Sequence, residues 1–307
     1  MIWPETYSVK MQQICQMIIE LGPTEAPVLI EGEEGTEKEL IAKAIHLNSA
    51  RSREPFVSVD CEAYPQMLLE SELFGHEIGA FYGATERKKG RFEIVDKGTI
   101  FLNNIELLSP ISQLKLLRLL ETQVFERLGG SESIPAQIRI MAGSKKNLKE
   151  ETEKGTFLEE VYYRLGIITI VVPPLRERRE DIPLLIEYFL HELAKQSGEK
   201  TFSNEAIQLL MSYSWPENVK ELENTVQYAY LMSSTNVIDV DALPNKIKER
   251  VQTQKTSSFE ENEREFLLKM LKENNWNKLQ VAKKLHISRS TLYAKLRKYN
   301  LMEPIKN

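Results

Sequence analysis

Short apolar runs alternate with amphipathic stretches over the first 175 residues. The runs begin at residues 28, 56, 99, 138 and 167, and each is rich in β-branched or aromatic residues, which is typical of buried strands. Apolar residues at helical spacing fill the stretches between them, such as 38–48, 66–74 and 111–128. This alternation predicts an α/β fold, in which a parallel sheet is covered by helices.

The strand pattern ends at Pro173 and Pro174, and residues 181–248 show helical patterns only. The polar stretch that follows has no periodicity and no large apolar cluster, so we expect a linker there. The predicted parts are 1–175, an αβα core; 176–248, a helical lid; 249–258, the linker; and 259–307, a small all-α module.

The all-α module has the pattern of a helix-turn-helix. Asn277 can cap the helix KLQVAKKL, and Ser288 can cap the following helix RSTLYAKLRKYN. The first turn of such a second helix faces DNA base edges, and its lysines face phosphates. The residues that we expect to contact DNA are Ser288, Arg289, Ser290, Thr291, Tyr293, Lys295 and Lys298. An ordinary three-helix packing unit is the alternative.

Charge is distributed unevenly along the 307 residues. Residues 259–307 hold eleven Lys and Arg against six Glu, so the net charge of −5 divides into +5 there and −10 before it. A basic end on an acidic body favours a nucleic-acid partner. No apolar run is long enough for a membrane span, and the chain start does not resemble a signal peptide, so we expect a cytoplasmic protein without membrane contact.

Residues 28–38, VLIEGEEGTEK, lead from the first strand pattern into a phosphate-loop pattern, G-x-x-x-x-G-K. Gly32 and Lys38 stand at the expected positions, but Glu37 replaces the final glycine. A carboxylate beside phosphates adds like-charge repulsion, and the position loses the freedom for positive φ that glycine provides. The sequence thus has the frame of an ATP-binding loop with a defect in it.

Motifs along nearly the entire chain resemble the bacterial enhancer-binding proteins, the sigma-54-dependent transcription activators. They are ESELFGHE at 70–77, GRFE at 90–93, YYRL at 162–165, PPLRERREDIPLL at 173–185 and WPENVKELEN at 215–224. The resemblance implies an AAA+ domain that forms a ring and remodels RNA polymerase carrying sigma-54, followed by a Fis-type helix-turn-helix. One such module per chain favours at least a dimer on a palindromic DNA site.

The resemblance implies that ATP binds at the loop after the first strand. The family motif GESGTGKE is GEEGTEKE here, so Glu34 and Glu37 depart from it. The lid residue Lys220 replaces the family's sensor arginine and loses the bidentate fork. The implied nucleotide positions are Gly32, Glu33, Glu34, Gly35, Thr36, Glu37, Lys38, Glu39 and Lys220. We expect weakened ATP binding.

The family's catalytic positions also depart from their pattern. Asn103 and Asn104 replace an Asp-Glu pair that serves the metal and the attacking water, although alone they indicate only a strand-end turn. An amide brings no full charge to magnesium and accepts no proton, so magnesium is not expected. Lys145 replaces the sensor asparagine and Leu158 the first of two intersubunit arginines, whereas Arg164 retains the second. We assign no catalytic residue.

The family's polymerase-contacting loop GAFTGA is GAFYGA here. Its residues are Gly79, Ala80, Phe81, Tyr82, Gly83 and Ala84. Because a phenol is much larger than a threonine side chain, the contact with sigma-54 is either lost or adapted.

Three hypotheses follow. The leading one is a DNA-binding transcription regulator whose AAA+ scaffold lacks efficient hydrolysis and serves oligomerisation and partner docking. The rival is an ATP-dependent activator that remodels sigma-54 RNA polymerase. In the third, the chain joins a mixed ring with an active homologue.

Overall fold

A computed structural model describes residues 6–274, 276–299 and 301, without the side chains of 196–197 and 250–262. The ends of the first and last predicted parts, 1–5 and 302–307, lie outside the described residues. The described residues form two compact units, which divide between Ala242 and Leu243. Within the described ranges, no helix combines the length and apolar character that a membrane crossing requires.

The elements alternate as the sequence predicts. The strands are β1 Val28–Glu31, β2 Phe56–Asp60, β3 Gly75–His76, β4 Lys88–Lys89, β5 Thr99–Asn103, β6 Val124–Phe125, β7 Ile134–Pro135, β8 Arg139–Ser144, β9 Thr169–Val171, β10 Thr201–Phe202 and β11 Val237–Ile238. The helices are α1 Val9–Leu21, α2 Lys38–Leu47, α3 Gln66–Phe74, α4 Arg91–Val95, α5 Pro110–Thr122, α6 Leu148–Glu153, α7 Glu159–Leu165, α8 Ile182–Ser197, α9 Asn204–Ser212, α10 Asn218–Met232, α11 Asn245–Glu273, α12 Lys278–Lys284 and α13 Arg289–Lys298.

Five strands form one parallel sheet in the order β2-β5-β8-β1-β9. Both faces are buried, since Leu29 packs in one apolar cluster while Val28 and Ile30 pack in the other. This is the alternation expected for a strand covered on both sides. The predicted α/β architecture is confirmed. Because all five strands are parallel, their carboxyl ends and the loops that follow lie along one edge of the sheet.

Two predicted helical stretches contain short strands instead. The helix predicted over 111–128 ends at Thr122, and Gln123 follows in the left-handed region with φ 54°. Strand β6 then pairs with β7 in an antiparallel arrangement. In the lid, β10 pairs with β11. Two-residue strands are too short for a periodic signal, so a pattern over neighbouring helices conceals them.

Residues 249–258 have helical backbone inside α11, where the sequence predicted an aperiodic linker. Glu, Arg, Gln and Lys are good helix formers even where no apolar face is present. A periodic apolar pattern reveals a helix that packs against other elements, but it does not reveal the helix propensity of polar residues. The helical backbone of this stretch was therefore not predicted. The division into functional parts at these residues stays a prediction.

Candidate nucleotide site and nucleic-acid interface

The predicted phosphate loop connects β1 to α2 at the carboxyl edge of the sheet. Its first residue is tied to the end of β8, because Gly32 N donates to Ser144 O at 3.0 Å. The Lys38 ammonium donates to Gly32 O at 2.7 Å and to Glu33 O at 3.0 Å, so it bonds the carbonyls of its own loop. Burial lowers the pKa of Lys38. The buried Thr36 hydroxyl likewise donates to Glu33 O, at 2.7 Å.

Glu37 has φ 67° and ψ 35°, in the left-handed region. The backbone thus requires the conformation that the missing glycine would adopt freely. Among the described residues, Oε2 of this carboxylate is buried and receives no hydrogen bond. Burial raises the pKa of Glu37 to about 7, although the positive charge of Arg178 opposes this shift and Glu223 adds to it. The loop therefore holds an acid that is partly protonated near neutral pH.

Direct contacts join the lid to the phosphate loop. Asn218 Nδ2 donates to Glu34 O at 2.8 Å, and Val219 N donates to Gly35 O at 3.0 Å. Arg176 makes a bidentate pair with Glu33 at 2.6 and 2.5 Å, which lowers the pKa of Glu33. These contacts hold the loop against the lid.

The close approach of the lid to the loop explains why residue 35 is glycine. Gly35 has φ 72°, and a Cβ there would lie 2.0 Å from Glu217 O and 3.2 Å from the Lys220 Cβ. Lys220 is thus beside the loop, with its side chain exposed, and Glu39 is exposed at the start of α2. The structure therefore brings the predicted nucleotide residues of core and lid together.

Asn104, buried at 2% exposure, donates from Nδ2 to Asp60 Oδ1 at 2.8 Å and to Glu62 Oε2 at 3.4 Å. Lys145 Nζ pairs with the same Glu62 oxygen at 3.0 Å, and this hydrogen bond raises the pKa of Lys145. A connected cluster of amide, ammonium and carboxylates thus occupies the ends of β2, β5 and β8. The sequence did not single out the two carboxylates of this cluster, which lie more than forty residues from Asn104 along the chain.

Magnesium prefers oxygen ligands and needs carboxylates that are available to it. At this edge Asn104 directs its NH₂ group at both carboxylates, and the Lys145 ammonium occupies the same position. In the ranges that the structure describes, no group of three or more His, Cys, Asp or Glu side chains is placed to hold a metal ion. The set of Asp60, Glu62, Asn104 and Lys145 does not fit a magnesium ion, because its carboxylates already accept hydrogen bonds from an amide and an ammonium.

Glu106, which sequence reasoning missed, follows directly on this strand end. Its Oε1 accepts from Lys145 N at 3.3 Å, and its Oε2 is buried without a hydrogen bond among the described residues. Asn103 Oδ1 is buried in the same way. The only signal for Glu106 in the sequence was its position just after the end of β5.

The two positions of the intersubunit arginines differ in exposure. Leu158 lies just before α7 and packs partly against the apolar core. Arg164 is exposed near the end of α7 and pairs with Glu121 at 3.0 Å. The retained arginine therefore faces outward, and the replaced one serves packing.

The predicted polymerase-contacting loop is a tight, ordered turn. Gly79 N donates to Ala84 O at 2.8 Å, and the Phe81 ring packs edge-on against His76 with centroids 5.0 Å apart. Tyr82 at the tip is fully exposed, and no atom lies within 4 Å of a Cβ built at Gly79. The loop thus presents a phenol to solvent. Residues Ala80 and Gly83 complete it.

An arginine that sequence reasoning missed supports the base of this loop. Arg127, 5% exposed, pairs with Glu93 at 2.6 Å and with Glu77 at 2.9 Å. These bonds join the segment before the loop to α4 and to the end of β6. A buried, fully paired arginine of this kind fixes local geometry more than it adds stability.

The C-terminal unit has the predicted helix-turn-helix geometry. The Asn277 side chain caps α12 by accepting from Gln280 N, and the Ser288 hydroxyl caps α13 by accepting from Thr291 N. His286 takes φ 52° in the turn between them. The core of this unit contains Leu301, which follows α13, and buried residues of all three helices: Leu267, Leu271, Val281, Ala282, Leu292 and Leu296.

The residues predicted to contact DNA differ in their availability. Arg289, Tyr293 and Lys298 are exposed. Ser290 and Thr291 are exposed as well, but their hydroxyls lie 2.7 and 2.8 Å from the Ser288 hydroxyl.

Lys295 is only partly exposed, because it forms an ion pair with Glu263 of α11, which also accepts from the Tyr299 hydroxyl. We predicted Lys295 as a phosphate contact, and the structure gives it an internal partner. Glu263 lies 32 residues earlier, beyond the reach of a local sequence pattern.

Comparison with known proteins matches three family models to successive parts of the chain. Residues 5–171 match the family model described as Sigma-54 interaction domain, residues 176–259 match AAA+ ATPase lid domain, and residues 258–299 match Bacterial regulatory protein, Fis family. The chain is 42% identical over 295 residues to the transcriptional regulatory protein ZraR of Escherichia coli strain K12, which covers 94% of this chain and 67% of that protein. It is 47% identical over 234 residues to the Nif-specific regulatory protein of Azotobacter vinelandii, which covers 76% of this chain and 45% of that protein.

Solved structures agree with these matches. NtrX from Brucella abortus in complex with ADP has a TM-score of 0.76 and 30% identity, covering 96% of this chain and 69% of that one. The same protein in complex with ATP has a TM-score of 0.72 and 32% identity, covering 96% and 68%. This chain therefore belongs to the family of sigma-54-dependent enhancer-binding transcriptional regulators, with a sigma-54 interaction domain, an AAA+ lid and a Fis-type helix-turn-helix.

Proposed function

We propose that this regulator recognises a DNA site through its C-terminal helices and uses an AAA+ domain defective in ATP hydrolysis for oligomerisation and partner docking. The cluster of Asn104, Lys145, Asp60 and Glu62 carries the proposal. Phosphoryl transfer needs a metal bridge to the phosphates and a residue that orients water. Here the carboxylates at the strand ends are bonded by an amide and an ammonium instead.

Changes at other positions act in the same direction. The buried carboxylate of Glu37 replaces a loop glycine, and Leu158 packs on the core where the family has an intersubunit arginine. Loss of such an arginine costs on the order of 10³ to 10⁵ in rate in related phosphoryl-transfer systems. Each loss falls on catalysis, whereas the sheet, the lid and the DNA-binding helices retain their form.

The partners follow from the family. The Fis-type module implies DNA, and we propose a palindromic upstream site bound by at least a dimer. The sigma-54 interaction domain implies sigma-54 and self-association through the AAA+ domain, as a dimer or a ring. The exposed phenol of Tyr82 then makes an adapted contact with the polymerase in place of a threonine. A cytoplasmic location is part of this proposal.

An ATP-dependent activator that remodels sigma-54 RNA polymerase is the second candidate. Lys38 is retained beside the loop carbonyls, and Arg164 is exposed at the surface. The NtrX structures show that a relative of this architecture binds ADP and ATP. In a variant of this candidate, the chain enters a mixed ring with an active homologue and supplies Arg164 to its neighbour's nucleotide.

The first prediction concerns turnover. Purified chain with ATP, magnesium and its DNA site should release phosphate at least about 10³-fold more slowly than ZraR of Escherichia coli assayed in parallel, because metal and water positions are both altered. Steady-state phosphate release at high protein concentration measures this. Turnover close to that of ZraR and abolished by Lys38→Ala would contradict the proposal and favour the activator. Addition of an active homologue to the assay tests the mixed ring.

A second prediction concerns Glu37 and pH. The pKa of this carboxyl rises from an ordinary 4.5 to about 7 in the folded chain, so its charged form is disfavoured by folding. The associated stability is present below pH 4.5 and is lost as pH rises through 7. Glu37→Gln should therefore gain stability relative to the parent between pH 5 and 8, by up to about 3 kcal/mol.

Urea unfolding of both proteins, monitored by tryptophan fluorescence at several pH values, measures this difference. Glu39→Gln is the matched control, because Glu39 lies two residues away and is exposed. It should show no such pH-dependent gain. A difference between parent and Glu37→Gln that stays constant from pH 5 to 8 would refute the assigned burial of the charge.

A third prediction separates base contacts from phosphate contacts. Arg289→Ala should weaken binding to the preferred site by about 1–3 kcal/mol and relax the sequence preference, because the side chain is exposed at the start of α13. Lys298→Ala should weaken binding to all sequences and reduce the salt slope by about 0.9. Fluorescence anisotropy with specific and scrambled duplexes at several salt concentrations measures both. An unchanged footprint for Arg289→Ala would remove α13 as the recognition helix.

A further inference from the structure

Two ammonium groups flank the phosphate loop of this chain. Lys38 begins α2, and Lys145 follows the last residue of β8. The hydrogen bond from Gly32 N to Ser144 O joins the two segments directly, one residue before Lys145. Burial is the main cause of the lowered pKa of Lys38, and the positive charge of Lys145 adds to it, whereas Glu34 and Glu106 oppose it. Both positive charges therefore act on one region, the mouth of the loop where phosphates would lie.

The groups that usually attract a metal to this region carry no charge here. Asn103 and Asn104 end β5 as amides, and Asn104 donates to Asp60 and Glu62. The charge of Glu62 is further offset by Lys145 at 3.0 Å. Relative to the family pattern, the strand ends lose two negative charges and gain one positive charge.

Phosphate groups do not require a metal as such; they require nearby positive charge and hydrogen-bond donors. In phosphoryl transfer, the metal bridges the β- and γ-oxygens and neutralises their charge for reaction. A lysine supplies neutralisation as a compact point charge without the octahedral ligand set that magnesium demands. The added Lys145 is consistent with the loss of the metal ligands. If a divalent cation were bound beside it, the lysine ammonium would repel that cation.

We propose that the loop binds a nucleoside triphosphate without a divalent metal, and that Lys145 supplies the positive charge in place of magnesium. This inference rests on the proposed function, in which the nucleotide is not hydrolysed. The bound nucleotide would then act as a structural ligand of core and lid.

Binding in this way requires only small rearrangements. The Lys145 pair with Glu62 is accessible to water, with side chains 29% and 53% exposed, so exchange of Glu62 for a phosphate loses little. Lys38 exchanges the carbonyls of Gly32 and Glu33 for phosphate oxygens. Rotation of the Lys38 and Lys145 side chains thus directs both ammonium groups to the ligand.

Acidic groups around the loop set a limit on affinity. Glu34 is exposed and Glu106 is hydrogen-bonded to Lys145 N, so both remain near the ligand. The Oε2 atom of Glu37 is buried, and the positive charge of Arg178 partly offsets this carboxylate, which reduces its effect on an anion outside the loop. We therefore expect moderate affinity that changes little with magnesium.

Isothermal titration of the full chain with ATP, first in EDTA and then in excess magnesium, tests the inference. The two Kd values should agree within about 3-fold, which corresponds to less than one tenfold step in affinity. Lys145→Ala should weaken binding in EDTA by about 10-fold, whereas Lys145→Arg should retain it because the charge is kept. Lys146→Ala is the matched control, since Lys146 is the adjacent lysine but pairs with Glu151.

Restoration of the family residues provides a reciprocal test. The double variant Asn103→Asp with Asn104→Glu should bind ATP poorly in EDTA and more tightly with magnesium, because the strand ends regain metal ligands. Circular dichroism of each variant establishes that it folds. This reversal is not expected from a variant with a merely structural defect.

Several results would overturn the inference. They are an absence of ATP binding in both conditions, binding that appears only with magnesium, and equal affinity of Lys145→Ala and Lys146→Ala. The first leaves the proposed function intact, because a regulator without nucleotide is still defective in hydrolysis. Magnesium-dependent phosphate release would instead overturn the proposed function itself, so the two failures are distinguishable.

Discussion

The hydrogen bond between Gly32 N and Ser144 O, at 3.0 Å, extends the parallel pairing of β1 and β8 beyond the strands. It determines where the phosphate loop begins and therefore which side chains meet at the edge of the sheet. Because β5 pairs with β8 on the other side, Asn103 and Lys145 leave the sheet at the same edge. A one-residue slip of this register would turn these side chains to the opposite faces. Strand pairing therefore determines which side chains meet at the site, and the individual substitutions determine their chemistry.

Glu37 adopts the left-handed conformation that the family's loop glycine would take freely. A non-glycine residue in the left-handed region costs roughly 1–2 kcal/mol, and its buried oxygen adds to that cost. Such a conformation persists only when its surroundings determine it. Here the lid does so, through Asn218 and Val219 on the loop carbonyls and Arg176 on Glu33. Protein groups of the lid therefore hold the backbone of this loop in place.

Sequence reasoning predicted those parts whose cause is local. The five sheet strands carry β-branched and aromatic runs, and Asn277 and Ser288 cap their helices as predicted. The helical backbone of 249–258 was missed because propensity without an apolar face leaves no periodic signal. At the candidate site, the replaced positions were visible from the resemblance, but their new partners were not. Contacts of Lys145 with Glu62 and of Arg127 with Glu93 join residues 83 and 34 positions apart, and only the fold brings them together.

The C-terminal helices retain the caps and the core that the sequence predicts for a helix-turn-helix. The Ser288 hydroxyl caps α13 and also lies against the hydroxyls of Ser290 and Thr291, so helix formation itself restrains two side chains predicted to contact bases. Lys295 is held by Glu263. Among the cations predicted to contact DNA, Arg289 is the one in the first turn of α13. An arginine can make a bidentate contact to guanine, so we expect Arg289 to contact a base. The capping and packing that shape this predicted recognition helix therefore come from the C-terminal unit itself.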